Sequence, residues 1–164
     1  MIQTISAFVS YFDGIRSRTL NYINTLPTDK IDWSPREGEL TCGDIVRHLA
    51  AGEKMFCGVV AEGRWVYIGH EKNLAATHEE LIAYLKTIHA DSMSALRAVD
   101  DSQLTQLRPA LKGGSVKAWR WLMAMVEHEV HHRSQLSSYL SLMGITPPHI
   151  YGLGIEDIVA LTTT

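Results

Sequence analysis

The sequence predicts an all-α protein, a four-helix bundle in a single domain spanning 1–164. Three observations carry that prediction. Four stretches of roughly 22 to 29 residues repeat apolar side chains at helical spacing. Segments bearing proline and glycine separate them, which excludes one continuous coiled coil. The chain has 164 residues, 46% apolar and 20% charged, enough to bury one core, with no repeat or linker to divide it.

The first helix is expected at about 3–25. Ile5, Phe8, Phe12, Ile15, Thr19 and Ile23 share one stripe, and Pro27 stops it. The second is expected at about 41–62, with Thr41 as N-cap and Ile45, Leu49, Phe56 and Val60 as its stripe. The third is expected at about 77–99. Thr77-His78-Glu79-Glu80 reads as a capping box in which hydroxyl and carboxylate satisfy orphan amides reciprocally. The fourth is expected at about 115–143, after Gly113-Gly114 and before Gly144, and a short helix at about 154–161. Between them, 27–40 and 100–114 read as loops. In 63–76, Trp65-Val66-Tyr67-Ile68 reads either as a short strand or as an aromatic anchor under a loop. The first two connections exceed ten residues, so crossovers are open and a simple up-down order is not assured.

Composition narrows function. Fifteen Lys and Arg against 18 Asp and Glu give a net charge of -3, which offers no electrostatic reason to expect nucleic-acid binding. The longest apolar run is Trp121 to Val126, too short to span a bilayer. The first basic residue is Arg16, so no signal-peptide n-region is visible and a cytoplasmic location is expected. Cys42 and Cys57 fall in one expected helix, roughly 22 Å apart at 1.5 Å per residue. A disulfide needs Cα atoms within about 7 Å, so they read as buried thiols.

Eight histidines stand out. On a helical wheel His128 and His132, at i and i+4, share the inward face with Trp121, Met125, Gln135 and Tyr139, while His131 faces outward with Glu127 and Ser134. Two inward imidazoles one turn apart suit a metal such as zinc. The plainer alternative is two core histidines bonded to neighbours. A third ligand is still needed, and His48, beside the Ile45 and Leu49 stripe, is the best candidate. Taken alone, His48 reads as a satisfied boundary histidine. Gly52 lies one turn further on its face and leaves room beside an imidazole. His70, His78 and His149 read as solvated, and His89 as rim.

His128-Glu129-x-x-His132 also satisfies H-E-x-x-H, the zincin pattern with Glu as base. The metzincin extension fails at Gln135 and Ser138, and a downstream acid such as Glu156 is poorly supported. Glu129 lies within the apolar arc. Buried, it could orient a ligand or act as a base; partly exposed, it would pair with Arg133 at i+4.

Leu40-Thr41-Cys42-Gly43-Asp44-Ile45-Val46-Arg47-His48-Leu49, the preceding Trp33-Ser34-Pro35, and His128-x-x-x-His132-Arg133-Ser134-Gln135 resemble the DinB/YfiT-like superfamily of small metal-binding four-helix proteins. Ser134 stands where that family often has Gly. The resemblance implies that His48, His128 and His132 are the ligands of a three-histidine site for a divalent ion, zinc or nickel. It also implies an unusual bundle topology and frequent homodimers. Some members are thiol-dependent transferases or isomerases that use low-molecular-weight thiols; others have no established reaction. Three neutral ligands leave zinc an open position. That points first to a metal-dependent thiol S-transferase acting on small electrophiles. The alternatives are a non-catalytic metal-binding stress-response dimer and, third, a metal-dependent hydrolase.

Overall fold

A computed structural model describes residues 2–163. Its long helices are α1 (Ile5–Thr25), α2 (Cys42–Glu62), α3 (His78–Arg97) and α4 (Ala118–Leu142), followed by a short α5 (Ile155–Thr162). The starts of α2 and α3 are set by the residues the sequence nominated. The Thr41 hydroxyl accepts from the Asp44 amide at 3.1 Å, and Asp44 accepts from the Thr41 amide at 3.0 Å. Thr77 and Glu80 make the same reciprocal pair at 3.2 and 3.0 Å. Each box satisfies donors that a bare first turn leaves without partners.

Two expectations need correction. Ser115–Lys117 is not the first turn of α4. It forms a strand, β2, antiparallel to β1 (Leu107–Pro109), with Arg108 opposite Val116. Gly113 and Gly114 close that hairpin at φ +91° and +75°, conformations an L side chain resists. The 63–76 segment contains no strand; apart from one 3-10 turn (Lys72–Leu74) it is irregular. Its aromatic anchor is real. Trp65 Nε1 donates to the Pro109 carbonyl at 3.0 Å, and the ring packs edge-on against Phe56 and Trp121.

The connectivity is crossed. α2 packs against α3 and α4, and α1 packs against the same two helices. Helices adjacent in sequence, α1 and α2, therefore sit diagonally across the bundle, as α3 and α4 do, and both 26–41 and 98–117 are crossing connections. The core falls into two apolar halves. One gathers Phe8, Phe12, Val59, Met93, Leu96 and Leu122; the other Ile23, Ile45, Leu49, Leu81, Leu85 and Leu136. Between them lies a buried polar layer: Arg16 and Thr19 from α1, Glu53 from α2, and Glu129 and His132 from α4. Cys42 and Cys57 are free and buried. No described helix is long and apolar enough to cross a membrane.

Candidate metal centre

His128 and His132 leave α4 one turn apart on its bundle-facing side, His132 buried and His128 half-buried, while His131 is exposed. The wheel assignment holds because the i, i+4 relation is fixed by the helix itself. His48 comes from α2, the neighbour packed on α4. One donor atom from each ring lies within 4.8 Å of the others. His48 Nε2 and His128 Nε2 are 2.9 Å apart. A tetrahedral ion with 2.0–2.1 Å bonds holds its ligand nitrogens about 3.3 Å apart, a spacing the trio brackets.

The ring electrostatics suit that use. Burial, reinforced by the neighbouring imidazoles, pushes His48 down to about 4 and His128 down to about 3. Burial also lowers His132, against the opposing hydrogen bond it donates to Gln135. Rings that resist protonation keep a lone pair for a metal near neutral pH. Tautomers are fixed from outside the trio as well. His132 Nδ1 lies 2.5 Å from Gln135 Oε1, an amide oxygen that can only accept. Nδ1 therefore carries the proton and Nε2 the lone pair. The donor set thus fits a divalent ion: three neutral imidazoles, Nε2 of at least two facing inward.

The fit depends on Gly52. A Cβ at Gly52 would lie 2.5 Å from His128 Cε1 and 3.0 Å from Nδ1. The room expected there serves His128, not the His48 of its own helix.

Glu129 is buried, but its carboxylate lies 3.2 Å from Arg16. Neither the exposed pair with Arg133 nor the zincin arrangement is formed. Among the described residues no hydrogen bond joins Glu129 to an imidazole of the trio. Glu156 is exposed on α5, outside the group.

Two histidines read as solvated are engaged. His78 Nε2 is 2.9 Å from the Ile23 carbonyl. His70 reaches the edge of the metal centre: Tyr67 hydroxyl lies 2.6 Å from His48 Nδ1 and 2.8 Å from His70 Nδ1. Burial and the nearby Glu71 push the Tyr67 phenol up, so it keeps its proton. Gln135 was visible three positions after His132; Tyr67 and His70 carried no local signal beyond a Tyr-x-x-His spacing in an irregular segment.

A model of the DinB family matches residues 1–160. The uncharacterized protein YjoA of Bacillus subtilis is 25% identical over 146 residues, covering 87% of this chain and 93% of that protein. Its crystal structure, that of a DinB-like protein, superposes with a TM-score of 0.71 over 88% of this chain and 96% of that one, at 23% identity. A DinB-like protein from Bacillus cereus gives 0.74 at 20% identity, over 91% and 99% of the two chains. YfiT from Bacillus subtilis gives 0.68 at 16% identity, over 87% and 89%; it is described as a probable metal-dependent hydrolase with an unusual four-helix bundle topology. At these identities the structural likenesses show the fold.

Proposed function

The chain belongs to the DinB family, and from that premise we propose that it is a divalent-metal-dependent thiol S-transferase acting on small electrophiles. His48, His128 and His132 hold the ion, zinc or nickel, both of which imidazole suits. The observation that carries the reading is the donor set: among the described residues three ligand atoms converge and no fourth joins them. A tetrahedral ion would keep one position for a ligand from solvent. An ion bound there supplies Lewis acidity, lowering the pKa of a thiol or water at that position.

The chain's own residues favour the thiol. The three imidazoles contribute no negative charge, so the site attracts an anionic sulfur more than a carboxylate-bearing site would. Glu53 and Glu129 are held against Arg16, so neither is in place to take a proton from water. A thiol, with a pKa near 8.5, needs that help far less than water. A low-molecular-weight thiol suits a cytoplasmic setting, in which Cys42 and Cys57 stay reduced. Glu129, held against Arg16, is hydrogen-bonded to no ligand imidazole among the described residues and bears on the site only through the helix it shares with His128.

A second reading is a non-catalytic metal-binding stress-response homodimer. The observation that favours it is α5, where Ile155, Ile158, Val159 and Leu161 are exposed in the single chain. Hydrolysis at the same open position is the third, and YfiT's description lends it support.

The test is elemental analysis of the purified protein beside His48→Ala, then thiol consumption with a panel of electrophiles. Near-stoichiometric metal, lost in the variant, and thiol turnover that disappears with it are the expected results. Metal without turnover moves the conclusion to the second reading; metal retained by His48→Ala overturns the three-histidine site.

A further inference from the structure

We infer that Tyr67 and His70, both on the connection between α2 and α3, are positioning residues of the metal centre: Tyr67, steadied by His70, orients the ring of His48 and fixes which nitrogen it offers. The inference rests on the three-histidine reading and adds two residues to it.

Three features of the chain place the Tyr67 hydroxyl. First is the geometry of His48. Its Nε2 edge faces His128 Nε2 at 2.9 Å, so its Nδ1 edge is turned away from the trio. That outer edge meets the Tyr67 oxygen at 2.6 Å. For Nε2 to offer a lone pair on the neutral ring, Nδ1 must carry the proton and donate it to Tyr67. The Tyr67 O–H is then free to donate to His70 Nδ1, 2.8 Å away. The chain of donors runs one way, from ligand to hydroxyl to second imidazole.

Second, Tyr67 is 43% exposed. An exposed tyrosine on an irregular segment has no packing reason to hold one rotamer. Its two hydrogen bonds supply that reason, and both are to histidines.

Third, the segment is tethered to the residue next to the ligand. Arg47, buried on α2, donates from Nε to the His70 carbonyl at 2.8 Å and from Nη1 to the Ala75 carbonyl at 2.6 Å. Consecutive residues of α2 thus hold the segment and take its hydroxyl. Gly69, at φ +85°, makes the turn that brings Tyr67 and His70 to the same point.

Such outer partners raise the basicity of a ligand imidazole and narrow its orientation, and losing one weakens metal binding by about 10- to 100-fold. The test is titration of the metal-free full-length protein with Co²⁺, reading affinity and the visible ligand-field spectrum. Five proteins are compared: wild type, Tyr67→Phe, His70→Ala, His70→Asn, and Tyr67→Phe with His70→Ala. Tyr67→Phe should weaken Co²⁺ by about tenfold or more and alter the spectrum, with helical content unchanged. His70→Ala should shift both readouts the same way. His70→Asn should recover most of the loss, because its Oδ1 can accept where Nδ1 did. In the Tyr67→Phe background, His70→Ala should cost nothing further, because His70 acts only through the hydroxyl.

Tyr67→Phe binding Co²⁺ within twofold of wild type, with the same spectrum, overturns the inference and leaves the three-histidine site standing. Equal cost of His70→Ala in both backgrounds removes His70 from the arrangement and overturns the coupled form. Wild type that binds no Co²⁺ fails the underlying reading, and the inference falls with it.

Discussion

Gly52 has no side chain, and His128 uses the room. Glycine inside a helix costs about 1 kcal/mol relative to alanine, so Gly52→Ala should help α2 on propensity alone. At this position the added methyl would meet the imidazole at 2.5 Å. Closer than any ordinary carbon contact, it would drive the His128 ring out of the trio. We expect Gly52→Ala to retain its circular dichroism and lose at least about tenfold in metal affinity; affinity equal to wild type would show that the ring adapts. The same ring predicts an unusual pH profile. Free histidine titrates at 6.5, but His48 and His128 are pushed down to about 4 and about 3, and His132 is lowered too. Protons then compete with metal only as the pH nears those lowered values. The fall in metal affinity should therefore set in below pH 6.5. A loss that sets in near 6.5 would mean the rings are solvated.

Helix α2 does two jobs through adjacent side chains, His48 for the ion and Arg47 for the loop. Arg47 makes three hydrogen bonds, to His70, Ala75 and Asp44. Replacing it with methionine keeps the apolar stem and strips the carbonyls of His70 and Ala75 of their donor. Arg47→Met should cost about 2–4 kcal/mol in urea unfolding and speed proteolysis within 63–76; unchanged cleavage there would show that the segment holds itself. This pairing also marks where the sequence could be read and where it could not. Thr41, Thr77 and the i, i+4 pair on α4 were legible because caps and helical faces are local geometry. The hairpin was not, because strands of three residues have no period, and the Gly pair suits a helix start as well as a turn. Tyr67 and His70 were hidden for a different reason. Only tertiary contact brings an irregular segment against His48, and nothing within the segment shows which wall it lines. Glu129 was placed on the right arc with the wrong partner, since Arg16 approaches from across the bundle.

At the scale of the whole molecule, the polar layer between the two apolar halves is organised by Arg16. Its guanidinium, 2% exposed, reaches from α1 to Glu53 on α2 and Glu129 on α4, tying the two diagonal helices through the centre. His89 on α3 closes the layer, with Glu53 3.2 Å from Nδ1 and Asp13 3.0 Å from Nε2. Both of its nitrogens face carboxylates, so it sits as the imidazolium. Burial lowers its pKa, but Glu53 and Asp13 outweigh that and the net shift is upward. Glu53 is pushed up by burial and down more strongly by Arg16 and His89; in Glu129 burial wins and the carboxyl is raised. Removing one partner of a buried ion pair costs about 3–5 kcal/mol, and Arg16→Met should cost that much near pH 6. The pH dependence distinguishes lost charge from lost packing. In the wild type, Glu53 titrates below its ordinary 4.5. Its contribution is present above 4.5 and disappears as the pH falls through the lowered value. Without Arg16, the Glu53 and Glu129 carboxyls rise, and ionising them above 4.5 costs stability. The gap between the two proteins should therefore widen from about pH 4 to about pH 6. Both conditions lie below 6.5, so His89 keeps its charge and its own contribution cancels. Unfolding by urea at those two pH values, with chelator present to keep metal from the histidines, measures the gap. A gap of the same size at both would mean that Arg16 holds the bundle by its packed stem, and that the layer's charges are bystanders.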